Sequence, residues 1–338
     1  MTDWLGSYGT EWSVFHVDPD TWADDGVVAG VASVSISRDC TDDVPLLETG
    51  TMEVDADFFE DGWYRIYMTA EQGSKEKVAM ATLLFEQASS RVEMRARTIE
   101  ARGRSTIQPV ADEKTTREMF VAAGADGAAY AASIIAACTP APVVVEGSFT
   151  LVEDYVLDIG EPRLSAVWGL LRAGGWCIQI DGDGTVRVRE MPSEPALELD
   201  MAHAGLLIPG VDDDYSIVDV PNRYFAMDDG ETAVAENIDG AAGYAARGRW
   251  VDVVDESPVL VNGESLEMYA ARKLSEACTI TRHYRYDREF WPNVTVNDMV
   301  RASLAENGIE GDLRVLSQSI DCGDGVKVSE TAGMEVLL

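Results

Sequence analysis

Positive charge is what this sequence has least of. Only 26 lysines and arginines stand against 60 aspartates and glutamates in 338 residues, a formal charge of −34. So acidic a surface repels phosphates, which argues against nucleic acid or an anionic membrane surface as the main ligand. Adaptation to high salt is another reading of the same composition. Histidine is scarce as well: His16, His203 and His283 lie far apart in the chain. They read as structural or surface residues rather than as a catalytic base. The strong catalytic signatures are missing, with no GxSxG elbow, no phosphate-binding Walker loop, no HExxH and no kinase set. The five cysteines, Cys40, Cys138, Cys177, Cys278 and Cys322, are odd in number, scattered and without a CxxC pair. That spacing indicates neither a zinc centre nor a disulfide framework, and reduced, mostly buried thiols are expected. The opening MTDWLGSYGTEW has neither the basic nor the apolar region of a secretion signal. The best candidate for a membrane span, 121–145, is interrupted by Asp126, Pro140 and Pro142 and reads as a helix followed by a loop.

What the sequence does have is alternation. Val34 and Ile36 alternate with serines, and Met52, Val54, Ala56 and Phe58 alternate with Glu53, Asp55 and Asp57. Further strands are expected at 12–17, 63–69, 78–86 and 92–102, separated by Gly, Asp and Ser clusters. Residues 1–110 therefore read as a β-barrel-like or sandwich-like domain with one polar face.

The stretch 162–192 is the clearest unit. Leu164, Val167, Trp168 and Leu171 form one helical stripe, with Pro162 at its start and Gly174-Gly175 at its stop. The period then switches to two, and Asp181-Gly182-Asp183-Gly184 makes the turn of a hairpin. Upstream, Thr115 and Glu118 have capping-box spacing, Asp126 is a helix N-cap, and 149–157 is strand-like. These elements make 111–195 an α/β insert.

From 196 to 338 the chain returns to β, with strands expected at 222–227, 248–254, 280–289, 293–304, 314–321 and 333–338. One helix, about 264–278, has Asn262 as N-cap and Glu264 in its first turn. The expected fold is mainly β: two barrel-like or sandwich-like domains around a small helix–hairpin insert.

Clustered carboxylates at Asp181-Gly182-Asp183-Gly184, Asp212-Asp213-Asp214 and Asp228-Asp229 invite a metal reading. Turn geometry and solvated loop charge explain them with less. No catalytic, cofactor-binding or metal-ligating residue is assigned. Two aromatic clusters, Trp63 with Tyr64 and Tyr67, and Tyr284 with Tyr286, Phe290 and Trp291, read as core or interface, with a sugar-stacking platform as the alternative.

Three stretches carry a resemblance. They are ISRDCTDDVPLLETGTMEVD followed by GWYRIYMTAEQGSKEKVAMATLLFE; LSAVWGLLRAGGWCIQIDGDGTVRVREMP; and PNRYFAM, MYAARKLSEA and WPNVTVNDMVRASL with its hydrophobic-Asn-Asp-x-Val element. Their order resembles the hub proteins at the distal end of bacteriophage tails, the tail-tip or baseplate-hub family. The resemblance implies a non-enzymatic homotrimer that caps a hexameric tail tube and lets DNA pass without specific binding. It also implies partners among tail-tube or distal tail proteins, tip, fibre or receptor-binding proteins, and the tape-measure protein. It implies a virion location at the distal end of the tail, after assembly in the host cytoplasm. As many relatives continue into enzymatic or fibre modules, a short form ending at Leu338 is expected to leave those tasks to other chains. The alternatives are a tail-associated wall hydrolase and a carbohydrate-binding receptor protein.

Overall fold

The computed structural model describes the chain except residues 1, 3, 5–7, 41–46, 94–95, 200–206, 229, 257, 259–263, 293, 305–308 and 324. The fold is mainly β, built on large antiparallel pairing with few helices. Two compact units are present: Met1–Gly210 with Tyr286–Ala332, and Val211–Arg285 with Gly333–Leu338.

The larger unit opens with seven strands: β1 (Gly9–Val17), β2 (Asp24–Val27), β3 (Val31–Asp39), β4 (Leu47–Asp55), β5 (Gly62–Glu71), β6 (Lys75–Glu93) and β7 (Ala96–Arg104). They lie in the order β3-β4-β7-β6-β5-β1-β2. Alternation sends Val34, Ile36, Met52, Val54, Ile66, Met68, Leu83, Phe85 and Ile99 into one core. Gly50 and Gly103 face each other across β4 and β7. A Cβ on Gly103 would lie 2.8 Å from the Phe85 ring, so this glycine pair is the room the ring fills.

The insert follows as α1 (Gln108–Asp112), β8 (Met119–Val121), α2 (Gly127–Cys138), β9 (Val143–Glu146), β10 (Tyr155–Leu157), α3 (Arg163–Gly174), β11 (Trp176–Ile180) and β12 (Val186–Glu190). Asp126 caps α2 by accepting from the N–H groups of Ala128 and Ala129 at 3.1 and 3.2 Å. Gly175, at φ 71°, stops α3 in the left-handed conformation.

The capping box at Thr115 does not form. Met119–Val121 is a strand paired with β10, and the Thr115 hydroxyl donates to the Asp158 carbonyl at 2.7 Å. A ladder partner some forty residues away outcompetes the local cap. The strand expected at 149–157 shrinks to β10, because Phe149 turns aside to pack on Trp176. The β-branched run of β9, unforeseen, pairs in parallel with β12.

The chain continues through β13 (Pro195–Leu199) and β14 (Leu207–Asp214). In the smaller unit come β15 (Arg223–Asp228), β16 (Glu231–Glu236), α4 (Tyr244–Arg247), β17 (Asp252–Asp255) and α5 (Leu266–Cys278). The last four strands are β18 (Thr279–Glu289), β19 (Met299–Leu304), β20 (Ile309–Gly323) and β21 (Gly325–Leu337).

The helix expected at 264–278 begins later. Ser265 is its cap, accepting from Met268 N–H at 3.3 Å, and Glu267 occupies its first turn; Asn262 lies outside the described residues. The strand expected at 248–254 is shortened to β17 because α4 and the left-handed Gly248 precede it. The one expected at 293–304 starts only at Met299, after a turn in which Asn297 has φ 72°; Asn293 is outside the described residues.

β20 is a shared strand. Its residues from Ile309 to Arg314 pair with β19, and those from Ser317 to Cys322 pair with β3. Strands near the C-terminus thereby join the N-terminal ones in one unit. In the smaller unit a three-stranded sheet, β16-β15-β17, packs Tyr224, Ala226 and Ala233 against Tyr269, Ala270 and Leu274 of α5. Among the described residues no helix is long and apolar enough to cross a membrane.

Candidate interaction surfaces and the interior that holds them

The aromatic clusters singled out in the sequence are mostly interior. Trp63 and Tyr64 are buried, with Trp63 edge-on to Trp22 and the Tyr64 hydroxyl donating to the Glu60 carbonyl. Tyr284, Tyr286 and Phe290 are buried too, while Trp291 is half-buried. Tyr67 is more open, bonded to Asp24 at 2.9 Å with the Lys77 ammonium 3.6 Å from its ring.

His16 sits on β1, edge-on to the Tyr64 ring. His283 is on β18, and His203 lies outside the described residues. Asp213 is held by Arg282 and Asp214 by Arg285, so these acids have cations as partners; Asp229 is outside the described residues. Among the described residues no three His, Cys, Asp or Glu side chains converge. Cys177 is buried, and burial pushes its thiol up to about 12.

The Asp181–Gly184 turn is a docking tip. Asp181 and Thr185 close it, with Gly184 at φ 85°. Its carbonyls face the β5–β6 region of the larger unit. Gly182 accepts from the Thr82 hydroxyl at 3.0 Å, and Asp183 accepts from Arg65 at 3.0 Å and from the Trp22 indole at 2.9 Å. A Cβ at Gly182 would collide with the Ala79 carbonyl, so only glycine allows this approach. The carboxylate of Asp181 turns to Arg187 at 2.6 Å, and burial raises its pKa despite that bond.

A second anchor comes from the Asn297-Asp298 element. The Gln179 amide donates to Asp298 at 2.9 Å, Arg189 donates to Gln179 at 3.0 Å, and Thr295 N–H donates to Asp298 at 2.9 Å. Burial holds the Asp298 carboxyl above its ordinary value.

Sequence reasoning missed a polar network inside the larger unit. Arg38 binds Glu48 at 2.8 Å and the Met80 carbonyl. Glu330 accepts from Arg288 at 2.6 Å, from Gln318 at 2.8 Å and from the Tyr286 hydroxyl. Gln318, on the shared strand β20, also reaches Arg38 at 3.5 Å, so it links the two ion pairs. Arg288 and Glu330 are 1% and 0% exposed, which makes this a pair fully removed from water. Burial drives the Glu48 carboxyl upward against the pull of Arg38, and drives the Tyr286 hydroxyl well above its ordinary value.

The outward phase of the same strands is polar. Ser35 and Thr51 share a hydroxyl bond at 2.6 Å, Thr98 donates to Asp55 at 2.8 Å, and Arg102 donates to Glu100 at 3.3 Å. Glu53 and Asp55 stand exposed on this face, and Asp57 is exposed just past the end of β4. Glu53 is directly opposite Glu100 on β7, a like-charge pairing that disfavours the sheet. Its repulsion is tempered by Ser33 on Glu53 and by Ser89 and Arg102 on Glu100.

No protein-family model and no curated protein matches the sequence. Solved structures do match. The 43 kDa tail protein of prophage MuSo2 from Shewanella oneidensis aligns with a TM-score of 0.63 at 12% identity, over 95% of this chain and 97% of that one. A tail protein from Neisseria meningitidis MC58 aligns with a TM-score of 0.66 at 14% identity, over 97% of both chains. A chain of the Francisella PdpA–VgrG complex gives 0.60 at 5% identity, over 97% of this chain and 58% of that one. At these identities the likeness is one of fold, and it runs through nearly the whole chain.

Proposed function

We propose that this chain, with the fold of phage tail proteins, is a structural hub of a phage tail tip. Three copies form a ring that caps a hexameric tail tube and joins it to the tip, fibre or receptor-binding proteins. The tape-measure protein is a further neighbour, and DNA passes through the ring without being specifically bound. The ring assembles in the host cytoplasm and resides at the distal end of the virion tail. It performs no catalysis.

The observation that carries this reading is the end-to-end match with two tail proteins, over 95–97% of this chain and 97% of each of theirs. Other features support it. A three-fold ring needs two docking faces per chain to meet a six-fold one. The reading assigns them to the strands of 1–110 and of 196–338, of which Tyr286–Ala332 is part of the same compact unit as the N-terminal strands. The insert, 111–195, is fastened at Gly182, Asp183 and Gln179, as suits a part that bears load. The outward face with Glu53 and Asp55 keeps a like-charge pair at a cost in stability, as suits a surface that must not hold phosphate. The glycan reading has less behind it, because most of the aromatic residues it needs are buried.

Light scattering on the purified protein, alone and mixed with its tube partner, tests the ring. A trimer is expected. A monomer that persists at high concentration and beside the tube protein contradicts it.

A further inference from the structure

The three-stranded sheet of the smaller unit has two unlike faces. One packs on α5. The other carries two rows set by strand register: Asp252, Arg223 and Glu236, then Val254, Phe225 and Val234. Val234 and Val254 are 47% and 52% exposed, and Met227, beyond them, is 37% exposed. Such a stripe of large apolar side chains on a strongly acidic chain is a mark of contact with another molecule.

The stripe is also stiffened at one end. Tyr244 stacks on Trp250 with ring centroids 4.4 Å apart, the Arg223 guanidinium lies 4.6 Å from the Trp250 ring, and it lies 5.1 Å from that of Phe225. Arg223 is fixed in turn by two bonds to Asp252, both at 2.9 Å. The Trp250 ring is engaged by Tyr244 and Arg223 rather than left open as a platform for a sugar ring. It is an ordered aromatic and arginine anchor of the kind that concentrates binding energy at protein interfaces.

We infer that this face docks a polypeptide segment that presents apolar side chains flanked by lysine or arginine. Charge decides between occupants. Arg223 is the only cation on the three strands, and it stands between two carboxylates, with Asp228 and Glu231 exposed at the hairpin end. The nearby Arg247 and Arg249 are turned to the backbone carbonyls of Val218 and Val220. A second copy of this chain would bring the same excess of carboxylates, so a cationic partner is the complementary one. The inference rests on this unit's own geometry and stands apart from the tail reading.

The test uses the full chain and two labelled probe peptides, one alternating leucine with lysine and one alternating leucine with glutamate. Fluorescence anisotropy should show binding of the lysine peptide and none of the glutamate peptide. Val234→Thr with Val254→Thr keeps β-branched residues in the sheet and should weaken binding about tenfold or more. Phe225→Ser, checked for folding by circular dichroism, should do the same. Equal binding by the wild type and the valine variant would reduce the effect to bulk charge attraction and overturn the inference, as would no binding. Loss of self-association in the valine variant would also overturn it, because the occupant would then be a second copy.

Discussion

In the larger unit two arginines and two glutamates lie in the interior, joined through Gln318. In the smaller unit Arg223–Asp252, Arg282–Asp213 and Arg272–Glu276 are all at least partly open to solvent, and only the Glu264 carboxylate on Arg272 is largely covered among these pairs. The core beneath the sheet is rich in alanine and tyrosine, with Val220, Leu274 and Cys278. The contrast separates two ways of holding a β structure. A buried ion pair adds little net stability over apolar residues, but removing one partner is costly, so each strand that contributes to the network is held to one register. Surface pairs and small-residue packing restrain a sheet less, and they leave one face free for contact.

Variants can sharpen or break that contrast. The largest effect is expected from Glu330→Ala, which strands Arg288 and Tyr286 in the interior. It should destabilise by about 3–5 kcal/mol in urea unfolding. Replacing Glu330 and Arg288 together with leucine should recover most of the loss. A single variant that costs under ~0.5 kcal/mol would show that the network does not hold β18, β20 and β21.

Next comes Gly182→Ala, which pushes the hairpin tip off the Ala79 carbonyl and should cost about 1–3 kcal/mol. Amide exchange should rise in β11 and β12 and stay unchanged in β15 to β17. In the smaller unit Ser265→Ala removes the cap of α5 and should cost about 1 kcal/mol, read as faster exchange in the first turn of that helix.

The smallest effects are those of pH, and they differ in sign. Glu48 has its pKa raised by burial, so its penalty is present at neutral pH and is relieved as pH falls toward about 4.3. Asp213 and Asp252 are held below the ordinary value by bonds from Arg282 and Arg223. Their contribution is present above about pH 3.9 and is lost as pH falls through the lower folded values. Mild acid should therefore slow exchange in β3 and β4 before stronger acid speeds it in β14 and β15. Faster exchange in β3 and β4 at mild acid would mean that Glu48 is stabilised as a carboxylate.

The network leaves a trace in the strand periods. Arg38 follows Val34 and Ile36 in phase, Glu48 precedes Met52 and Val54, and Arg288 lies between Tyr286 and Phe290. A charged residue in the apolar phase of a strand is the signal, and each of these turned out to be buried. The hairpin, the α2 cap and the long alternating strands were legible because their causes are local. The pairing of β8 with β10, the parallel β9 and the division of β20 between β19 and β3 depend on partners distant in sequence, which no period reveals. Nor does the spacing Asp-Gly-Asp-Gly say that the turn is seated on another strand. That depends on Ala79, about a hundred residues earlier.

The proposed place of this chain is a ring at the tip of a tail. Electron cryo-microscopy of tail particles carrying this chain tests it most directly. Three copies should surround the channel at the distal end, next to the six-fold tube. Six copies repeated along the tube, or particles whose tips are complete without the chain, would contradict the account.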